Sequence, residues 1–218
     1  MIGIAELFDE IQARNGLLYR DIPGLDIDEL ARLLGPRLVQ TSGKNYAFAT
    51  HKEDPSDCSD RTEYFDWHSD GLYHARPPRF VFLHCIDPGA GQCKTELANV
   101  SKVLSLLNPS SLNTLLKLRS HYIGHGDSFD HPVLRTDGML LASRGHVSAL
   151  SDLPLAEVPT IRDTAAAWSD LYRHLDENAV SFVWLAGGTL IFDQRKYMHR
   201  RNSAVIDRAR KLIRMWFD

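Results

Sequence analysis

The chain has 218 residues, 44% hydrophobic and 24% charged, and a formal net charge of -3. That length supports one well-buried core, while the composition excludes a helical membrane span of about 20 apolar residues and lacks the overall basic balance of a nucleic-acid binder. Three cysteines (Cys58, Cys85, Cys93) without CxxC spacing read as free thiols, and an N-terminus carrying Glu6, Asp9 and Glu10 is unlike a secretory leader, so the expected location is cytoplasmic.

Ile4, Leu7, Phe8 and Ile11 fall at helical spacing before Gly16, which predicts an opening amphipathic helix. A second helix is predicted from the Asp26 cap and Glu29 through Leu30, Leu33 and Leu34 to Gly35-Pro36. Val39 to Phe48 is compatible with strand, and residues 49–66, long, polar and acidic (Glu53, Asp54, Asp57, Asp60, Glu63), read as a solvated mobile loop. FDWHSDGLY, RFVFLHCI and QCKTELA read as strands, with a turn at Pro88-Gly89-Ala90-Gly91. Asn99 can cap a short helix carrying Val103, Leu104 and Leu107, and Leu112 to Leu118 predicts another. HPVLRTDGMLLAS suggests a hairpin at Asp137-Gly138, and 144–159 reads as a second loop. Thr160 and Asp163 then introduce a helix whose expected face is Ile161, Ala165, Trp168, Tyr172 and Leu175. FVWL, the turn Ala186-Gly187-Gly188 and TLIFD are expected to form a hairpin, and RKLIRMWF a last strand. Many strands with helices outside them predict a single domain, 1–218, mainly β with α additions, built as a sandwich or barrel.

In WHSD, His68 and Asp70 stand two apart, and residues i and i+2 of an extended chain share a face. Alone this is a common surface pair. With a second, distant imidazole it becomes the facial triad that suits iron(II) and leaves positions open for other ligands. His199, after TLIFD, is the candidate third ligand. The C-terminal end is rich in basic residues (Arg195, Lys196, Arg200, Arg201, Arg208, Arg210, Lys211, Arg214). Alternation in RKLIRMWF puts Arg210, Leu212, Arg214 and Trp216 on one face and Lys211, Ile213, Met215 and Phe217 on the other. Arginines among apolar neighbours fit either an internal acidic partner or a bound carboxylate, and apolar flanks speak against a solvated phosphate-binding stripe. His121, His125 and His131 match no closed zinc site and read as loop or pocket residues, while Tyr46, Tyr64, Phe65, Trp67 and Tyr73 read mostly as core.

These pieces, in this order, resemble the taurine dioxygenase-like (clavaminate synthase-like) branch of the Fe(II)/2-oxoglutarate oxygenases. The resemblance rests on His68-X-Asp70, Pro77-Pro78, the Gly89/Gly91 turn before Thr95, Asp193-Gln194-Arg195, His199, and arginines 11 and 15 residues after it. It implies a double-stranded β-helix (jelly-roll, cupin-like) core flanked by helices. It also implies iron on His68, Asp70 and His199, the far carboxylate of 2-oxoglutarate on Thr95 and Arg210, and O2 as oxidant. Arg214 would support the same carboxylate or face the primary substrate. The implied reaction is hydroxylation of a small polar metabolite, with no nucleic-acid or membrane partner; oligomeric state is open. The competing expectation is a non-catalytic or zinc-loaded barrel that binds a small anion. Gln194 stands where the family has Asn, the chain is shorter than most members between Thr95 and His199, and an Asp at position 70 differs from the small residue of related halogenases.

Overall fold

The computed structural model describes residues 4–22, 32, 47–50, 65–90, 94–124, 127–143, 146–149, 152–201 and 209–218. The expected second helix, most of the 49–66 loop, His125, Cys58 and Cys93 lie outside them. Helix α1 (Ile4–Ala13) is followed by strands β1 (Leu17–Asp21), β2 (Ala47–Thr50), β3 (Phe65–His68), β4 (Phe80–Asp87) and β5 (Lys94–Asn99). Helices α2 (Val100–Leu106) and α3 (Pro109–Leu116) precede β6 (Leu118–Gly124), β7 (Asp127–Pro132) and β8 (His146–Ala149). Helix α4 (Ile161–Glu177), β9 (Val180–Val183), β10 (Gly188–Asp193), β11 (Tyr197–Arg201) and β12 (Lys211–Phe217) complete the chain. The protein is mainly β with helical additions, as its composition of elements predicts. No helix among the described residues is long and apolar enough to cross a membrane.

The strands form a five-stranded sheet ordered β1-β10-β4-β12-β2, a four-stranded sheet ordered β3-β11-β5-β9, and a small third sheet, β7-β6-β8. The two larger sheets face each other, because Val81, Leu83, Leu190, Phe192, Leu212 and Trp216 of the first share one cluster with Leu97 and Tyr197 of the second. The outer face of the five-stranded sheet (Phe80, Phe82, Ile191, Met215, Phe217) is covered by Leu7 and Ile11 of α1. The outer face of the four-stranded sheet (Trp67, Ala98, Met198) is covered by Val103, Leu115, Ala167, Leu171 and Leu175 from the other helices. Strands β4 and β10 are therefore covered on both faces, which is why FVFLHC and TLIF read as unbroken apolar runs.

Several local readings hold. Asn99 caps α2 by accepting from the Lys102 amide, and Thr160 and Asp163 form a reciprocal capping box on α4. Others are corrected. FVWL and TLIFD do not pair: β9 pairs with β5 and β10 with β1 and β4, so the turn at Gly187 (φ +85°) carries the chain from one sheet to the other. A hairpin signal specifies a chain reversal but not whether the arms stay in one sheet. The segment 144–159 contains β8 and a short 3-10 turn at Leu155–Glu157, and Leu118–Gly124 and Asp127–Pro132 are two antiparallel strands that their polar composition conceals. Around Asp137-Gly138 the tight turn forms, with Gly138 at φ +82°, but only the bridge Leu134–Leu140 closes it. On α4 the buried positions are Ala167, Leu171, His174 and Leu175, whereas Ile161 is 91% exposed. Trp168, Tyr172 and Leu175 of the expected stripe pack against the core, but the helix is rotated so that Ala167 and Leu171 are buried and Ile161 and Ala165 are exposed.

That rotation is measurable by urea unfolding. Leu171→Ala is expected to cost about 2–5 kcal/mol, and Ile161→Ala less than about 0.5 kcal/mol. Equal losses would restore the face expected from spacing.

Candidate metal centre and adjoining cleft

Outward Trp67 and Met198 sit in the helix-covered core, so His68 and His199, one residue further along β3 and β11, point inward between the sheets. These two strands pair antiparallel with His68 and His199 directly opposite, and their rings lie 4.1 Å apart, centroid to centroid. His199 is thus on a strand of its own, not merely after one. Asp70 is off the strand: β3 ends at His68, and Asp70 lies in the turn that follows. The same-face argument from extended chain therefore does not apply to it. A turn delivers the carboxylate instead.

That turn is heavily specified. The Asp70 amide donates to the Gln194 side-chain oxygen, and the Gln194 amide group donates to the carbonyls of Asp70 (3.1 Å) and Pro78 (2.8 Å). Ser69 donates its backbone N–H to Ala142 O and its hydroxyl to Leu140 O. Gly71 has φ +69°, and a Cβ there would lie 2.5 Å from Pro78 Cδ. Position 71 accepts little but glycine.

His68 Nε2 is 3.6 Å from Asp70 Oδ1 and His199 Nε2 is 3.8 Å from Asp70 Oδ2; all three residues are buried. Among the described residues they form a His/Asp cluster whose ligand atoms lie within 4.8 Å of one another. His68 Nδ1 is 2.7 Å from the Asp66 carbonyl, which can only accept, so Nδ1 carries a proton and Nε2 is the nitrogen turned toward Asp70. Burial opposes ionisation of Asp70, but Arg214, His199 and His68 outweigh it and hold the carboxyl well below the usual carboxylate range. Burial, reinforced by His68 and opposed by Asp70, pushes His199 down to about 3. The cluster therefore presents a carboxylate and two imidazole nitrogens, the donor set suited to iron(II), and the residues fit such an ion.

From the facing sheet Arg214 Nη1 approaches Asp70 Oδ1 at 3.4 Å and Trp216 Nε1 donates to Asp70 Oδ2 at 3.0 Å. Sequence alternation put Trp216 on this face, but a strand tryptophan reads as core. The cleft beside the cluster is lined by Phe65, Leu83, Thr95, Arg201, Arg210 and Arg214, among others, and opens to solvent. Thr95, Arg210 and Arg214 thus line one cleft. Arg201 joins them: it shares the face of His199 two residues on, opposite Thr95 across β11 and β5. Arg200, its neighbour, points the other way to Glu96, Asp176 and the Trp67 ring. His131 bonds to the His74 carbonyl and His121 to Asp130, apart from the metal cluster, as befits structural roles.

The chain matches the family described as taurine catabolism dioxygenase TauD, TfdA over residues 5–216. It belongs to that family. A curated dioxygenase of Strobilurus tenacellus is 24% identical over 149 residues, 62% of this chain, and the matched part spans about a third (34%) of that relative's length. The fold is shared with an asparagine oxygenase solved with Fe(II), 3-hydroxyasparagine and succinate: TM-score 0.69 and 19% identity, over 98% of this chain and 77% of that one. A taurine dioxygenase from Burkholderia xenovorans aligns with TM-score 0.72 and 16% identity, over 100% and 82% of the two chains.

Two outcomes test this family member's centre. Gly71→Ala is expected to lose more than about 1 kcal/mol of stability, because alanine is strained at positive φ, and to weaken metal binding by shifting Asp70; titration calorimetry and urea unfolding read the two effects. Separately, a histidine of the unfolded chain titrates near ~6.5, so as pH falls from there towards about 3 the unfolded state takes up a proton that folded His199 refuses. Stability of the metal-free protein must fall with pH across that window. His199→Gln should flatten the dependence of melting temperature on pH between about 7 and about 4; an unchanged slope would mean that His199 is not buried neutral.

Proposed function

We propose that this chain is an Fe(II)- and 2-oxoglutarate-dependent oxygenase that hydroxylates a C–H bond of a small polar metabolite, an amino acid or other carboxylate, releasing succinate and CO2. The observation that carries the reading is the His68-Asp70-His199 cluster opening onto a cleft lined by buried Arg201, Arg210 and Arg214. The asparagine oxygenase likeness supports a small amino-acid substrate. The two facing antiparallel sheets are read as the halves of a double-stranded β-helix with the centre between them.

In this reading His68, Asp70 and His199 hold the iron, which when bound supplies the oxygen-activating redox chemistry that no side chain can. His199 is held neutral by burial, His68 turns Nε2 rather than Nδ1 toward the cluster, and ionised Asp70 would neutralise part of the ion's charge. The co-substrate's far carboxylate lies against Arg210 and Thr95. Trp184 donates to Thr95 Oγ1 at 3.0 Å, which leaves the threonine's own proton to be donated to that carboxylate. Phe65, Leu83 and Leu212 line the cleft with apolar surface, so the anion is met by guanidinium groups in a partly dry site, where charge-assisted bonds are strongest. Arg214 has a role beyond the two expected for it, since it also neighbours the Asp70 carboxylate.

The test is anaerobic titration of Fe(II) and 2-oxoglutarate into metal-free protein, followed by succinate formation in air with candidate amino acids, with Zn(II) as the inactive control. Arg210→Ala is expected to weaken 2-oxoglutarate binding by about 2–5 kcal/mol, the cost of removing one partner of a buried charge pair. Thr95→Val should cost about 1.5–3 kcal/mol, as for a hydrogen bond to a charged group. Unchanged affinity in Arg210→Ala would move the anchor to Arg201 or Arg214, and succinate formation with Zn(II) would exclude the redox reading.

A further inference from the structure

We infer that Trp216 is a positioning residue that favours metal binding by Asp70 through one oxygen, Oδ1, by holding the other, Oδ2, in an indole hydrogen bond. The inference rests on the iron site proposed above and concerns the geometry of its carboxylate ligand. Both oxygens of Asp70 border the space between the histidines, Oδ1 on the His68 side and Oδ2 on the His199 side, at nearly equal distances of 3.6 and 3.8 Å. Distances to the imidazoles therefore do not choose between them. The indole does: Trp216 Nε1 donates to Oδ2 at 3.0 Å, whereas the Arg214 contact to Oδ1, at 3.4 Å, is long for a hydrogen bond.

The donor is itself held firmly. Trp216 is almost wholly buried, and it pairs in register with Val81 of the central strand β4. Its ring is packed by the Arg214 guanidinium at 4.7 Å and by His74 and Tyr73 at 5.9 and 6.2 Å. An indole N–H has one proton and no acceptor, so it can satisfy one carboxylate oxygen and nothing else. The arrangement has a chemical consequence. A carboxylate gripping the ion with both oxygens would fill a position that a chelating keto acid or oxygen needs; the indole bond takes one lone pair of Oδ2 and orients that oxygen toward Trp216, which favours the one-oxygen mode. Hydrogen bonds to metal-ligating carboxylates tune sites in this way, and their loss typically costs about 10–100-fold in metal affinity or activity.

Trp216→Phe keeps a packed ring and removes only the donor. Metal-free wild type and variant are titrated with Mn(II), and water-proton relaxation then counts the exchangeable waters left on the bound ion. The expected result is a Mn(II) affinity lower by about 10–100-fold and fewer exchangeable waters in the variant, the second readout being one that a purely structural role would leave unmoved. Equal affinity and equal relaxation in the two proteins would overturn the inference while leaving the iron site standing. Wild type that binds no metal would overturn the iron site itself, and this inference with it. If the variant does not fold, the wild-type Trp216 indole resonance in 15N-labelled, Zn(II)-loaded protein decides: an indole proton shifted downfield, as in a bond to a carboxylate, supports the inference, and one at the shift of a free indole overturns it.

Discussion

A charged carboxylate buried between two sheets is the constraint around which this molecule is arranged. Asp70 is 4% exposed, and an ion so placed is costly unless every side of it is answered. The four-stranded sheet answers with His68 and His199, the five-stranded sheet with Arg214 and Trp216, and the Gln194 side chain secures the backbone that carries it. The sheets are thus joined by hydrophobic contact along most of their shared face and by one polar junction at the metal centre.

Core and centre are built by the same strands through alternation. In β3 and β11 one residue of each adjacent pair, Trp67 or Met198, anchors to the helical layer, and the other, His68 or His199, faces the cleft. Helix packing on the outer face therefore sets ligand position on the inner one. Asp176 of α4 extends this link, accepting from the Trp67 indole and pairing with Arg200, which also grips Glu96 of β5. A change in how α4 docks would be transmitted to both histidines through residues one peptide away from them.

The basic cluster near the C-terminus divides by the same rule. Arg200 faces outward to acidic partners at the helix layer, while Arg201, Arg210 and Arg214 line the cleft. A run of arginines that could suggest a polyanion-binding surface is, in three dimensions, part structural brace and part anion site. The cleft they line adjoins the His68-Asp70-His199 cluster.

The elements legible in the sequence are those governed by neighbours within a few residues: the caps at Asn99 and Thr160, the opening helix, the two faces of β12, and the order of His68, Asp70, His199, Arg210 and Arg214. Apolar alternation also foretold that Arg210 and Arg214 would be buried, because a strand's period does not depend on what it packs against. Sheet order, the rotation of α4, the crossing at Gly187 and the strands hidden in polar segments were decided by tertiary packing. So were the contacts that finish the centre: Gln194 meets Asp70 across 124 positions, Trp216 meets it across 146, and Arg201 joins the cleft only because β11 pairs with β5. Local periodicity tells which way a side chain points along its own strand. Which partner waits there depends on how distant strands are ordered and registered, a choice made by the whole core and carried by no single stretch of chain.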